Sequence, residues 1–238
     1  SLRVRAAFFY LVLSLACALI VAVLVLYVWY PPPYDVLSGG SELFWLVVSV
    51  DVAVGPLLTL IVFNIKKRRA ELLRDLVVIG ILQVCALAYG LHTVFVARPV
   101  ALVLEIDRFR VVAANDVYEG DPSQVASEFR SMALLGPRLV GVRKPEGKEA
   151  ERAVDLMFKG YDVGQCPQYW KLYDAAAAVS KARKLEYLVD RKKEFRADIE
   201  SRVKAMGGNL GSSYYMPVLA RQDGWVAILD SRGHHLGF

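Results

Sequence analysis

LFWLVVSVDVAVGPLLTLIVF, residues 43–63, followed at once by Asn64-Ile65 and the basic cluster Lys66-Lys67-Arg68-Arg69, is the stretch on which the fold turns. It holds 21 residues and one charge, Asp51. At about 1.5 Å rise per residue such a helix reaches roughly 31 Å, the thickness of a hydrocarbon core. Two more runs share the property: residues 6–30, with 25 positions and no charge, and residues 76–96, with 21 and none except what His92 can carry. Buried helices of soluble proteins seldom stay apolar on every face for so long. The pattern predicts three transmembrane α-helices within a domain of residues 1–97. The plainer reading of the first run is a cleaved signal peptide. It is too long, no small-residue cleavage site precedes a polar stretch, and Leu15-Ala16-Cys17 leads into further apolar sequence, so Cys17 reads as packing.

Composition agrees with an uneven chain. Of 238 residues 55% are apolar and 22% charged, and the mean hydropathy is +0.36. That is too apolar for an ordinary soluble domain and too charged for a chain wholly in lipid. Of 53 charged residues, only 12 lie in the first 97 positions. Disorder, collagen-like repeats and a disulfide scaffold are excluded by the same figures, with three Cys present.

Orientation follows from the basic residues. Arg3 and Arg5 precede the first run, and Lys66, Lys67, Arg68, Arg69 and Arg74 lie between the second and third, whereas residues 31–42 hold no Lys or Arg. The positive-inside rule places the amino terminus and the basic loop in the cytoplasm and everything after Val96 outside. The expected architecture is N-in, C-out, ending in a periplasmic domain of residues 98–238. Tyr27, Trp29 and Tyr30 mark the outer interface, Pro31-Pro32-Pro33-Tyr34 is a stiff connector, and Gly39-Gly40 turns the chain.

Polar groups inside the runs are candidates for a site. Asp51 is nine residues from Glu42, roughly 13 Å into the bilayer. An ionised carboxylate there costs at least about 2.5 kcal/mol, so it must be paired, neutral or turned to protein. Tyr89 and His92 on the third run reach comparable depth. Gly55-Pro56 frees the carbonyl of Val52, which Gln83 can satisfy. The residues read either as a structural polar seam between the second and third helices or as a seam that also engages a partner helix. A transport pathway is poorly supported, since neither internal repeats nor a chain of ionisable groups is present.

Residues 98–238 carry 22 basic and 19 acidic residues, no signature of nucleic-acid binding. The sequence predicts β-structure over 100–114, with Asp107-Arg108 either a hairpin turn or part of one long strand. It predicts a helix start at Asp121-Pro122, a strand over 138–142, a helix over 149–159 stopped by Gly160, a helix from Pro167 to about Leu185, and another to Met206. That last helix has a stripe of Leu188, Phe195, Ile199, Val203 and Met206. A meander over 214–219 and 225–229, with a strand near 235–238, closes an α+β fold with antiparallel strands. Phosphate loops and CxxC, HExxH or GxSxG motifs are absent. His234-His235 lacks partners for a metal, Cys166 reads as a buried thiol, and Lys181, Arg183, Lys184 and residues 191–193 read as a basic face. The expectation is a non-enzyme with no cofactor, no metal and no small-molecule substrate.

Tyr30-Pro31-Pro32-Pro33-Tyr34 with Gly39-Gly40, Val50-Asp51-Val52-Ala53-Val54-Gly55-Pro56-Leu57-Leu58-Thr59-Leu60, Phe63-Asn64 and Lys66-Lys67 together resemble the type IV pilin accessory proteins of the TfpX/TfpZ type. So do Asp75-Leu76, Gln83, Ala88-Tyr89-Gly90, Thr93, Ala97-Arg98-Pro99-Val100 and Glu105-Ile106-Asp107-Arg108-Phe109. The match is dense from about residue 30 to 112 and sparse beyond, where mainly Pro217, Trp225 and Asp230 fit. The resemblance implies an inner-membrane protein that helps its cognate type IV pilin, the major subunit, accumulate or assemble, without being a pilus subunit. It carries no catalytic residues. The pilin's free amine lies at the cytoplasmic face, whereas Asp51 is roughly 18 Å from it, so direct pairing of the two is not expected. An extracytoplasmic sensor subunit and a membrane-anchored envelope-modifying enzyme stay open as alternatives. The first has little cytoplasmic chain for output, and the second has no acid/base constellation.

Overall fold

A computed structural model describes residues 2–62 and 69–238. It divides into two compact units, Ser1–Arg98 and Pro99–Phe238.

The first unit is helical. Its apolar, almost glycine-free runs leave the backbone no better way to satisfy its own polar groups. Helix α1 (Leu2–Val23) continues as a π-helical turn, Leu24–Trp29, closed by the Tyr30 N–H donating to the Val25 carbonyl at 2.8 Å. A short α2 (Tyr34–Leu37) leads to α3 (Gly40–Val62), which runs unbroken through Gly55-Pro56, and then comes α4 (Arg69–Val96). Among the described residues one helix, Leu73–Val96, is long and apolar enough to cross a membrane, against the three expected from the sequence. The apolar stretches Leu15–Trp29 and Gly40–Ser49 are shorter. Only 11% of the apolar window of that helix is buried within the protein. Val77, Val78, Ile81, Leu82 and Val84 are all more than half exposed. A core helix of a soluble protein would hide these side chains.

One end of the unit is packed tightly. Val21, Val25, Tyr30, Phe44, Val48 and Val94 form a buried cluster. The π-turn delivers Tyr30 into it with no exposed surface, and its hydroxyl donates to the Val94 carbonyl at 2.9 Å. Two glycines make room. A Cβ on Gly40 would lie 2.4 Å from the Tyr30 ring, and one on Gly90 would lie 2.6 Å from Val47 Cγ1.

The second unit is a mixed sheet with helices. β1 (Pro99–Leu104) and β2 (Phe109–Ala113) form a hairpin whose turn contains Asp107-Arg108. Every residue of β1 is buried, the mark of a central strand covered on both faces. β3 (Arg138–Val142) runs parallel to β1, and β4 (Trp170–Leu172) runs antiparallel to β3. β5 (Arg183–Lys184), β6 (Tyr214–Leu219), β7 (Val226–Leu229) and β8 (His235–Gly237) complete the order β4-β3-β1-β2-β6-β7-β8, with β5 also on β6. The expected purely antiparallel pairing is corrected in two places: β1 with β3 and β2 with β6 are parallel. Long connections carry the chain back between those partners. Connections of that length permit a parallel neighbour where a tight turn does not.

The helices are α5 (Lys148–Phe158), α6 (Ala175–Lys181), α7 (Leu185–Arg191) and α8 (Arg196–Ala205). Gly160, at φ +88°, ends α5 as expected. The helix expected from Pro167 is corrected: Pro167–Tyr169 is a 3-10 turn and Trp170–Leu172 is the edge strand β4. Trp170 is there pinned by its indole N–H donating to the Gly164 carbonyl at 2.8 Å. The helix resumes only where Asp174 caps it, accepting from the Ala177 N–H. The stripe expected over 188–206 is broken at Lys192 into α7 and α8, leaving Phe195 half exposed. Leu188, Ile199 and Met206 still pack on the buried Leu185, Val203 and Ile228. At Asp121-Pro122 only one 3-10 turn forms.

The two glycines of α4 give a direct test. A Cβ on Gly80 meets nothing within 4 Å, while one on Gly90 strikes Val47. Gly90→Ala is expected to lower stability by about 1–3 kcal/mol through overpacking. Gly80→Ala is expected to be neutral or stabilising by up to about 1 kcal/mol through helix propensity. Thermal unfolding of the detergent-solubilised protein, followed by circular dichroism at 222 nm, distinguishes the two.

Candidate functional site

The residues proposed for the seam fall on α3 and α4. Asp51, Gly55 and Pro56 lie on the backbone of α3, but their side chains lie outside what is described, and Asn64 lies outside the described residues. On α4, Gln83 is half buried, while His92 and Tyr89 are exposed, Tyr89 at 76%. Thr93 donates its hydroxyl to the Tyr89 carbonyl at 3.0 Å, and Gly90 is the contact point for Val47. Gly90 and Thr93 therefore serve helix packing and helix backbone.

Arg98 closes the same unit. It is 5% exposed, its guanidinium lies 3.8 Å from the centre of the Phe95 ring, and Nη1 donates to the Phe95 carbonyl at 2.7 Å. Phe95 in turn meets Trp29 with ring centres 4.9 Å apart. A cation over the last carbonyls of a helix completes the bonds that the helix cannot make for itself.

The motif Glu105-Ile106-Asp107-Arg108-Phe109 is the tip of the β1–β2 hairpin. The Glu105 N–H donates to the Arg108 carbonyl, fixing the turn that the alternation alone left open. Arg110 Nε donates to Glu105 Oε1 at 2.6 Å, and the same guanidinium reaches Asp162 through Nη2. Arg108 meets Asp107 at 3.1 Å and Glu105 at 3.7 Å. Phe109 is wholly buried and Ile106 is 81% exposed. Pro99 opens β1 in the core. These residues build the hairpin around a shared charge cluster.

Two ionisable groups, Cys166 and His235, are set by burial. Among the described residues no three His, Cys, Asp or Glu side chains gather as a metal site. Burial pushes the Cys166 thiol up to about 11, so it stays protonated at neutral pH, with Sγ 3.4 Å from the Asp162 carbonyl. His234 is engaged with Asp230 at 3.0 Å. His235 sits between Phe109 and Phe238, with ring centres at 5.9 and 4.7 Å, and burial pushes it down to about 4.

Two grooves on the second unit were not legible from the sequence. One, of about 630 Å³, is walled by Arg183, Lys184, Arg191, Tyr187, Tyr214 and Tyr215, with Asp190 as its one carboxylate. The sequence marks its cations only as a basic face, and the tyrosines join them through the β5–β6 pairing of Arg183 with Tyr215 and Lys184 with Tyr214. The other, of about 390 Å³, is largely apolar and runs between α7, α8 and β7, lined by Leu188, Phe195, Ile199, Met206 and Trp225 among others. Such open features suit the docking of another chain.

A helical unit with one membrane-length helix, followed by a mixed-sheet domain with solvent-open grooves, defines a two-unit protein. The chain is 34% identical over 223 residues to the fimbrial assembly protein of serogroup I from Dichelobacter nodosus, spanning 92% of this chain and 87% of that one. It is 32% identical over 226 residues, with the same coverage, to that of serogroup E1, and 42% identical over 105 residues to that of serogroups C1 and C2, covering 44% of this chain and 80% of the relative. The family model of the fimbrial assembly protein FimB matches residues 1–39. The chain belongs to this fimbrial assembly protein family, the type IV pilus accessory family that the resemblance implied. No solved structure matches it.

His235 supplies the pH test. A histidine in an unfolded chain titrates near 6.5, and His235 is held near 4 in the fold. Between those values the unfolded chain takes up a proton that the folded one refuses, so stability falls on acidification from pH 6.5 towards 4. Scanning calorimetry at pH 7 and pH 4.5 is expected to show a smaller loss of Tm in His235→Phe than in the parent.

Proposed function

We propose that the protein is a non-catalytic inner-membrane accessory factor of type IV pilus assembly that binds its cognate pilin, the major subunit, and promotes its stability or incorporation. The observation that carries this reading is the relationship along 92% of the chain to proteins named for fimbrial assembly. The helices α1, α3 and α4 cross the bilayer in this reading, with the basic loop in the cytoplasm and residues 99–238 in the periplasm. The one-sided distribution of Lys and Arg supports that orientation. A pilin awaiting assembly presents an apolar helix in the membrane and a globular head outside. The exposed apolar side of α4 and the grooves of the second unit are suited to those two parts.

Deleting the gene is expected to deplete surface pili and lower the amount of membrane pilin, with recovery on complementation. Unchanged pili and pilin would overturn the reading. Two variants separate the contacts. Asp51→Asn is expected to weaken pilin co-purification from detergent if the seam faces the partner. Unchanged recovery with a lowered Tm assigns Asp51 to structure. Arg183→Glu with Arg191→Glu is expected to reduce co-purification about tenfold, the equivalent of about 1.4 kcal/mol, without altering the unfolding of the chain.

A further inference from the structure

The segment Arg130-Ser131-Met132-Ala133-Leu134-Leu135-Gly136-Pro137-Arg138 is built to hold two leucines in the open. Ala133 and Gly136 are buried, and Met132 packs on the cluster around Phe129 and Val140. Between these anchors Leu134 and Leu135 are 58% and 83% exposed. The arginines at either end brace the loop: Arg130 Nε donates to the Val125 carbonyl at 3.0 Å and Arg138 Nη1 to the Glu128 carbonyl at 2.8 Å. Both guanidinium groups bond to backbone rather than to carboxylates and stay exposed. The result is an apolar tip flanked by two cations.

Topology says where that tip lies. β3 is parallel to β1, with Arg138 opposite Ala101, two residues into β1. The loop that enters β3 therefore lies at the end of the sheet where β1 begins. That end is tethered: only Ala97 and Arg98 separate Val96, the last residue of α4, from Pro99. At about 3.3 Å per residue, such a linker holds Pro99 within roughly 10 Å of the helix end. The hairpin tip at Asp107 occupies the opposite end of β1.

We propose that this loop rests on the outer leaflet, with Leu134 and Leu135 at the boundary between headgroups and acyl chains and Arg130 and Arg138 among lipid phosphates. Paired apolar and cationic side chains at that depth combine burial of apolar surface with attraction to anionic headgroups. With α4 read as a span, the short linker favours the bilayer as the partner of this loop. The contact would set the attitude of the second unit and so the surface that it offers to an incoming chain. It rests on the reading of α4 as a membrane span.

The test is collisional spin-label accessibility in the full-length protein, reconstituted in phosphatidylethanolamine–phosphatidylglycerol vesicles. Labels are placed at Leu135→Cys and Asp107→Cys in a Cys17→Ala, Cys85→Ala background, and at native Cys85 in Cys17→Ala. Cys166, 1% exposed, stays in place. The label at position 135 is expected to collide far more with oxygen, relative to a water-soluble nickel chelate, than the label at 107. Equal, aqueous values at 135 and 107, with a lipid value at Cys85, overturn the loop proposal alone. An aqueous value at Cys85 overturns the span and the proposal together. If position 135 is aqueous in vesicles and shielded from both reagents only when a pilin is co-reconstituted, the loop is a protein contact and the proposal fails.

Discussion

The exclusion of charge from residues 76–96 is the constraint on which the architecture depends. A helix with that composition and only 11% of its apolar window buried leaves most of its apolar side chains without cover among the described residues. Among the described residues, packing within the chain covers one end of it, where Gly90 admits Val47 and the Tyr30 hydroxyl holds the Val94 carbonyl. In the proposed function, lipid or another apolar helix covers the remaining sides. That suits the proposed function, because a pilin brings an apolar helix of its own.

The second unit complements this with a rigid centre and open margins. β1 is buried along its whole length, and the hairpin it forms with β2 is tied by the cluster of Glu105, Arg110 and Asp162 to the turn before Cys166. Exposed apolar and cationic groups include those of the loop over 130–138 and of the grooves beside α7 and α8. Half-buried ion pairs of this kind add modest stability and chiefly fix geometry. Cys166 and His235 are held in their neutral forms by burial.

Much of this was legible before any coordinates. The helices announced themselves because their runs outlast any surface helix, and β3, α5 and the final meander followed from alternation and from Gly160 and Gly224, whereas over 100–114 alternation gave β-structure and left the hairpin turn at Asp107-Arg108 open. Strand direction was not legible: an apolar strand such as β1 reads the same whether β3 lies parallel or antiparallel to it. Trp170–Leu172 was read as helix because Pro167 and the alanines after it mark a helix start, while the indole bond to Gly164 that makes it a strand is set by tertiary packing. The basic groove was hidden because Arg183 and Tyr215 are distant in sequence and meet only through β5 and β6. Of the motif residues, Gly90, Arg98, Glu105 and Phe109 have structural duties that spacing alone does not distinguish from contact with a partner.

The side of the membrane that receives the second unit decides whether it can meet a pilin head at all. Fusing alkaline phosphatase, which matures only in an oxidising compartment, behind Phe238 and comparing it with a fluorescent protein that matures only in the cytosol measures this directly. The account predicts an active phosphatase and a dark fluorescent protein. A fluorescent fusion with inactive phosphatase would contradict it.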